Sequence, residues 1–115
     1  MAVKVNELAV KKAKELINKG KVIKDEKDDW SEHQPSTDTQ NQYLEEHDVK
    51  EFGHWFLGIK TDQETDNKTT YEFPYGDFQK VHRGGVIAAK VRAGQYKHKD
   101  IEDAANQLLS MIDSR

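Results

Sequence analysis

The side chains best suited to chemistry in this 115-residue chain are five histidines and twenty-one acids. A continuous helix over residues 37–57 would place His47, Glu51 and His54 on one face, where two imidazoles and a carboxylate could bind one metal ion. Asp48 and Glu51 are spaced as a capping box, however, which favours the start of a new helix there. We therefore interpret the three side chains as a solvated polar face and keep a small metal-dependent enzyme as one alternative function.

Other catalytic signatures are missing from the sequence. It contains no cysteine, which excludes disulfides, thiolate metal sites and cysteine nucleophiles. No serine lies in a Gly-x-Ser-x-Gly motif, and Gly84-Gly85 is not followed by the Lys-Ser or Lys-Thr of a phosphate-binding loop. The loop at 61–68 has alternating acids but lacks the central glycine and the final glutamate of a calcium-binding loop. The sequence predicts no catalytic residue, metal or cofactor, and it favours a non-enzymatic role.

The strongest binding signal is a basic stretch at 78–99, which contains six lysines and arginines and no acid. Aromatic residues flank it, and cations beside aromatic rings can contact phosphates and stack on bases. The chain's pI of about 5.9 is nevertheless lower than that of most nucleic-acid-binding proteins. An acidic segment at 25–77 could instead neutralise these charges inside the fold.

We therefore predict an interaction module that binds a protein partner through a basic helix at 78–96 and the preceding turn at 73–78. The candidate binding residues are Tyr75, Lys80, His82, Arg83, Arg92, Gln95 and Tyr96. Nucleic-acid binding through the same helix and the N-terminal lysines is the alternative. Neither function requires a membrane, and no apolar run reaches the roughly 20 residues of a membrane-spanning helix. No secretory signal is recognisable, so we expect a cytoplasmic protein.

Apolar spacing predicts the elements that would position these residues. The expected helices cover residues 6–19, 37–46, 49–57, 78–95 and 101–112, and a short strand covers about 70–73. This pattern predicts one domain over residues 1–115 with a mainly α fold at the margin of α+β. It has four or five packed helices and at most one short two-stranded β element, in which Ile59 could pair with the strand.

Cap and turn residues predict where these elements end. Asn6 and Asp100 are expected to cap the first and last helices, and Gly58 is expected to end the helix at 49–57. The sequence Phe-Pro-Tyr-Gly at 73–76 has the proline and glycine of a type I turn. Asp77 would then cap the long helix that begins at residue 78.

Two further features predict close packing. Trp30 is the single aromatic side chain in a polar connector at 21–36, and its ring has too much apolar surface to remain in water. Gly84 and Gly85 lie inside the predicted helix at 78–95, where each costs up to about 1 kcal/mol relative to alanine. Such a cost indicates the close approach of another backbone, or alternatively a kink.

Several motifs resemble those of a family of small uncharacterised bacterial proteins of similar length. They are DWSEHQPS at 29–36, FPYGDF at 73–78, KVHR at 80–83, RAGQY at 92–96 and DIEDAA at 100–105. The resemblance covers about residues 5–113, and the half from 71 to 112 is also similar to segments of phage-derived open reading frames. It implies no catalytic residue. It implies that Arg83, Arg92, Gln95 and Tyr96 form one structural or binding unit with the turn at 73–78.

Overall fold

The structure is a computed structural model that describes residues 3–26, 29–30, 36–61 and 70–115. Its elements are named here in chain order. They are β1 (Val3–Val5), α1 (Glu7–Asn18), β2 (Val22–Ile23), α2 (Thr37–Glu46), α3 (Val49–Gly53), β3 (Phe56–Lys60), β4 (Tyr71–Pro74), β5 (Val81–His82), α4 (Arg83–Gln95) and α5 (Lys99–Asp113).

The strands form two small sheets. β1, β3 and β4 make an antiparallel sheet with β3 in the centre, and β2 pairs in parallel with β5. The fold is rich in helix, as predicted, but the expectation of at most one two-stranded β element is wrong. Strands of two or three residues are too short for an alternating pattern, and their partners are far away in the sequence, so local periodicity does not reveal them.

One hydrophobic core is enclosed by α1, α4, α5 and the three-stranded sheet. The apolar stripes predicted for the first and last helices are buried except at two positions: Leu8 is 61% exposed, and Ala104 is partly exposed. Their buried members are Ala9, Ala13, Leu16 and Ile17 in α1, and Ile101, Ala105, Leu108 and Ile112 in α5. No helix in the described ranges is both long and apolar enough to cross a lipid bilayer.

The predicted helix at 49–57 is too long. α3 ends at Gly53, and Phe56 begins the central strand β3. Phe56, Leu57 and Gly58 are all buried, because β3 lies between two strands and contacts α5. Gly58 does not end a helix; the ring of Phe73 occupies the space where a Cβ at Gly58 would lie.

The predicted helix at 78–95 begins five residues late. Residues 78–80 form a bend, in which Phe78 has a left-handed backbone with φ of 68°. The Asp77 carboxylate accepts hydrogen bonds from the Gln79 and Lys80 amides, so it caps this bend rather than a helix. The predicted type I turn at 73–76 is also wrong, because Phe73 and Pro74 belong to β4.

Two residues predicted as helix caps connect distant elements. Asn6 occupies the N-cap of α1, but its side-chain amide donates to the carbonyls of Gly53 and Phe56, at 2.9 and 3.2 Å. Asp100 lies in the first turn of α5, after the true N-cap, and accepts a hydrogen bond from the Val5 amide at 2.8 Å. Both side chains therefore hold β1 and the start of α1 against the rest of the fold.

The absence of a Cβ at the two glycines at the start of α4 lets other parts of the backbone pack closely against this helix. A Cβ on Gly84 would overlap the Glu26 carbonyl, and one on Gly85 would lie 2.8 Å from the Tyr75 carbonyl oxygen. The predicted close approach of another backbone is confirmed. Trp30 is only 3% exposed, so its predicted packing is confirmed as well. Because both glycines lie in the first turn, α4 avoids the cost of glycine in a helix interior.

We expect Gly84→Ala to lower the free energy of unfolding by about 2–3 kcal/mol, because its methyl group must displace the backbone of Glu26. Gly94→Ala is the matched control, since the nearest atom to its new Cβ is the flexible carboxylate of Glu102. This control should be neutral or stabilising by up to about 1 kcal/mol. Urea unfolding monitored by tryptophan fluorescence measures both, and equal effects would contradict the role assigned to Gly84.

Candidate functional site

A buried histidine lies at the junction of β5 and α4. His82 is 3% exposed, with Nδ1 2.7 Å from Asp25 Oδ2 and Nε2 2.9 Å from Asp77 Oδ2. A carboxylate only accepts hydrogen bonds, so both ring nitrogens donate and the imidazole carries a positive charge. The ring of Trp30 covers it, with 5.1 Å between the ring centroids.

Each carboxylate beside His82 is also held by backbone amides. Asp25 follows β2, and its Oδ1 accepts a hydrogen bond of 2.6 Å from the Gly84 amide in the first turn of α4. That position suits an acid, because free amides and the helix dipole make the N-terminus of a helix positive. Asp77 uses Oδ1 for the amides of its own bend. The three side chains therefore form a fully hydrogen-bonded charged cluster, here called the His82 cluster.

The surroundings shift the pKa values of His82 and Asp77. Burial acts to lower the pKa of His82, but hydrogen bonds and charge from Asp77 and Asp25 outweigh it and hold the pKa above the usual 6.5. Burial acts to raise the pKa of Asp77. The hydrogen bonds from His82, Lys80 and Gln79, together with the imidazolium charge, outweigh that effect and hold the pKa below 3.8.

The protonated state limits the chemistry of His82. An imidazolium that donates from both nitrogens has no free lone pair, so it neither accepts a proton nor binds a metal ion. The cluster therefore acts as an electrostatic connection among β2, the bend after β4 and α4. Sequence reasoning selected His82 as a binding residue and missed Asp25, which lies 57 residues away and shares no local pattern with it.

The histidines proposed for a metal site do not share a helix face. α2 ends at Glu46, and the Asp48 carboxylate accepts from the Glu51 amide at 2.8 Å, which confirms the predicted cap of a second helix. His47 Nδ1 lies 2.6 Å from Glu51 Oε2, while His54 follows the end of α3. In the described ranges, no three histidine, cysteine or acidic side chains are grouped so as to hold a metal ion.

The predicted binding residues divide into buried and exposed sets. Tyr75 is fully buried, and its hydroxyl donates to the His54 carbonyl at 2.7 Å. Arg83 is partly buried, and its guanidinium contacts Asp113 at 2.9 Å and Glu26 at 3.5 Å. These two side chains and His82 are therefore engaged within the protein. Lys80, Arg92, Gln95 and Tyr96 are exposed.

Most cations of the basic stretch remain unneutralised. Lys80, Lys90, Arg92 and Lys97 form no ion pair with any described residue, whereas Lys99 pairs with Asp103 at the surface. The Arg92 guanidinium lies 5.7 Å from the centre of the Tyr96 ring, which is 60% exposed. The alternative of complete neutralisation inside the fold therefore fails for these four side chains within the described structure.

A groove of about 870 Å³ runs between α4 and α5 beside these cations. Its lining residues are Arg83, Ile87, Lys90, Val91, Asn106, Leu109, Ser110, Asp113 and Ser114. We call it the α4–α5 groove. Sequence reasoning missed its apolar floor, although Ile87 and Val91 are spaced i, i+4 and lie outside the buried stripe of α4. This second apolar stripe on α4 is the sequence signal that could have predicted the groove.

Comparisons of the chain with protein-family models, curated proteins and solved structures find no match. The resemblance to small bacterial proteins and to phage-derived reading frames therefore stays a prediction.

The His82 cluster predicts a pH-dependent stability. Because the pKa of His82 is raised in the folded protein, its protonation stabilises the fold. This stabilisation is complete at pH values below 6.5, the pKa in the unfolded chain, and it is lost as pH rises through the folded pKa. The lowered pKa of Asp77 contributes above 3.8, and that contribution is lost as pH falls through its folded pKa. We expect the cluster to contribute most to the free energy of unfolding between about pH 4 and 6.5. In that range His82→Gln should lower the free energy of unfolding by about 3 kcal/mol.

Urea unfolding of the wild type and His82→Gln at pH 6 and pH 9 measures this contribution. The difference between the two proteins should shrink at pH 9, because this stabilisation is lost as pH rises through the raised pKa of His82. His47→Gln is the control, because His47 forms an exposed pair with Glu51 that is worth little. A difference between wild type and His82→Gln that is the same at both pH values would contradict a charged imidazole.

Proposed function

We propose that the protein is a non-enzymatic interaction module whose exposed α4 surface binds an acidic protein partner. The observation that supports this proposal is the set of unneutralised cations at Lys80, Lys90, Arg92 and Lys97. Charges that stabilise only the fold would be paired with its own acids, as Arg83 is with Asp113 and Glu26. Exposed cations without an acidic partner stabilise a complex with a negatively charged surface.

Apolar surface beside these cations favours a protein over a nucleic acid. Val91 is 39% exposed and Tyr96 is 60% exposed, and both lie among the basic residues. Arginine and tyrosine are the residue types enriched in the energetically dominant parts of protein interfaces. A nucleic-acid interface would gain little from covering aliphatic side chains such as Val91 and Ile87.

Nucleic-acid binding remains the second candidate because Arg92 and Tyr96 form an exposed cation–aromatic pair. Such a pair can contact a phosphate and stack on an unpaired base. The lysines of α1 would enlarge the basic surface under this hypothesis. It predicts affinity that falls steeply with salt, because each neutralised phosphate releases a counterion.

A charge-reversal experiment separates the two candidates. The wild type is titrated with a labelled 18-residue peptide of glutamate, alanine and leucine, and separately with single-stranded and duplex DNA. We expect peptide binding to exceed DNA binding, and Lys90→Glu/Arg92→Glu to weaken it about tenfold, because two attractive charges become repulsive. Fluorescence anisotropy at two salt concentrations measures each affinity.

The control is Lys4→Glu/Lys50→Glu, which makes the same change in net charge on exposed lysines of β1 and α3. Equal loss of binding in both double variants would mean that net charge alone drives the interaction, and it would contradict a site on α4. Tighter binding of DNA than of peptide, lost in Lys90→Glu/Arg92→Glu, would favour the nucleic-acid function.

A further inference from the structure

The α4–α5 groove is lined by two aliphatic side chains, Ile87 and Val91, that are not part of the core. α4 turns Val86, Ala89 and Ala93 toward the interior, where they are buried. Ile87 and Val91 lie on a different side of the same helix and line the groove with Leu109 of α5. Aliphatic side chains in such a position remain partly wet, so covering them with a partner is favourable.

The groove carries one unpaired positive charge. The Arg83 guanidinium and the Asp113 carboxylate, 2.9 Å apart, neutralise each other at one end. Lys90 lines the groove without an acidic partner in the described structure. Because this unpaired cation lies beside the aliphatic side chains of the groove, the groove attracts an occupant with carboxylates along its edge.

The walls of the groove determine the backbone that fits. Both walls are helices whose backbone amides and carbonyls are hydrogen-bonded within the helix, so they offer no row of partners to an extended strand. A helix satisfies its own backbone and presents only side chains to such a groove. The nine residues from Arg83 to Val91 rise about 12 Å, which matches roughly two turns of a bound helix.

We infer that the α4–α5 groove binds an amphipathic, acidic helix of the protein partner. Apolar side chains at i, i+3 or i+4, and i+7 of that helix cover Ile87, Val91 and Leu109, while its carboxylates face Lys90. The inference rests on the proposed function and adds the form of the partner. The basic surface favours a partner with negative charge, and the groove favours a helix with one apolar face.

Two probe peptides of identical composition test the inference. The first 18-residue peptide places leucines at helical spacing with glutamates on the opposite face, and the second has the same residues in scrambled order. We expect the amphipathic peptide to bind at least tenfold more tightly by fluorescence anisotropy. In ¹⁵N-labelled wild-type protein, we expect its largest amide shift changes near Ile87, Val91 and Leu109.

Variants of the floor provide the second measurement. Val91→Ser/Leu109→Ser should weaken binding of the amphipathic peptide at least tenfold and leave the scrambled peptide unaffected. Leu8→Ser is the control, because Leu8 is 61% exposed on α1, outside the groove. An equal loss of binding in Leu8→Ser, or shift changes confined to other parts of the protein, would overturn the inference.

The failure of this inference is distinguishable from failure of the proposed function. Equal binding of both peptides, weakened by Lys90→Glu/Arg92→Glu, would overturn the helix groove and leave the basic interaction surface standing. Binding of neither peptide would overturn both. A dimer in sedimentation that Val91→Ser/Leu109→Ser converts to monomer would identify a second copy as the occupant, and it would also overturn the acidic partner helix.

Discussion

The charged hydrogen bonds of His82 fix the start of α4, and most of the surface described here depends on where that helix begins. Burying an imidazolium and two carboxylates is costly unless every polar atom is paired. The Gly84 amide donates a hydrogen bond to Asp25, and the amides of the bend after β4 donate to Asp77. This cluster joins segments far apart in sequence and ends β5 at the residue where α4 starts.

Close packing at this junction separates the two sides of α4. Gly84 and Gly85 admit the carbonyl groups of Glu26 and Tyr75, which brings the first turn against the loop after β2 and the end of β4. Small residues farther along, including Ala89 and Ala93, let α5 approach closely. Because the inner side uses such small side chains, the larger aliphatic and basic residues of α4 lie on the groove and the solvent side.

Elements determined by neighbouring residues were predictable, and those determined by distant residues were not. The buried stripe of α1 and the cap at Asp48 depend on residues within a few positions. β2 depends on pairing with β5, and the role of His82 depends on Asp25. Residues 54–57 have helical spacing, yet pairing with β1 and β4 makes Phe56 and Leu57 part of a central strand.

The same distinction separates the charges that stabilise the fold from those available to a partner. The sequence shows six bases without an intervening acid, but it does not show that Asp113 and Glu26 neutralise Arg83. Because His82 and Arg83 are paired with acids of the protein, the positive charges at the N-terminal end of α4 are neutralised. Arg92 and Lys97 lie at its C-terminal end, where the helix dipole favours cations even without acidic neighbours. These positions therefore carry outward positive charge at little cost to the fold, which is the condition that a persistent binding surface requires.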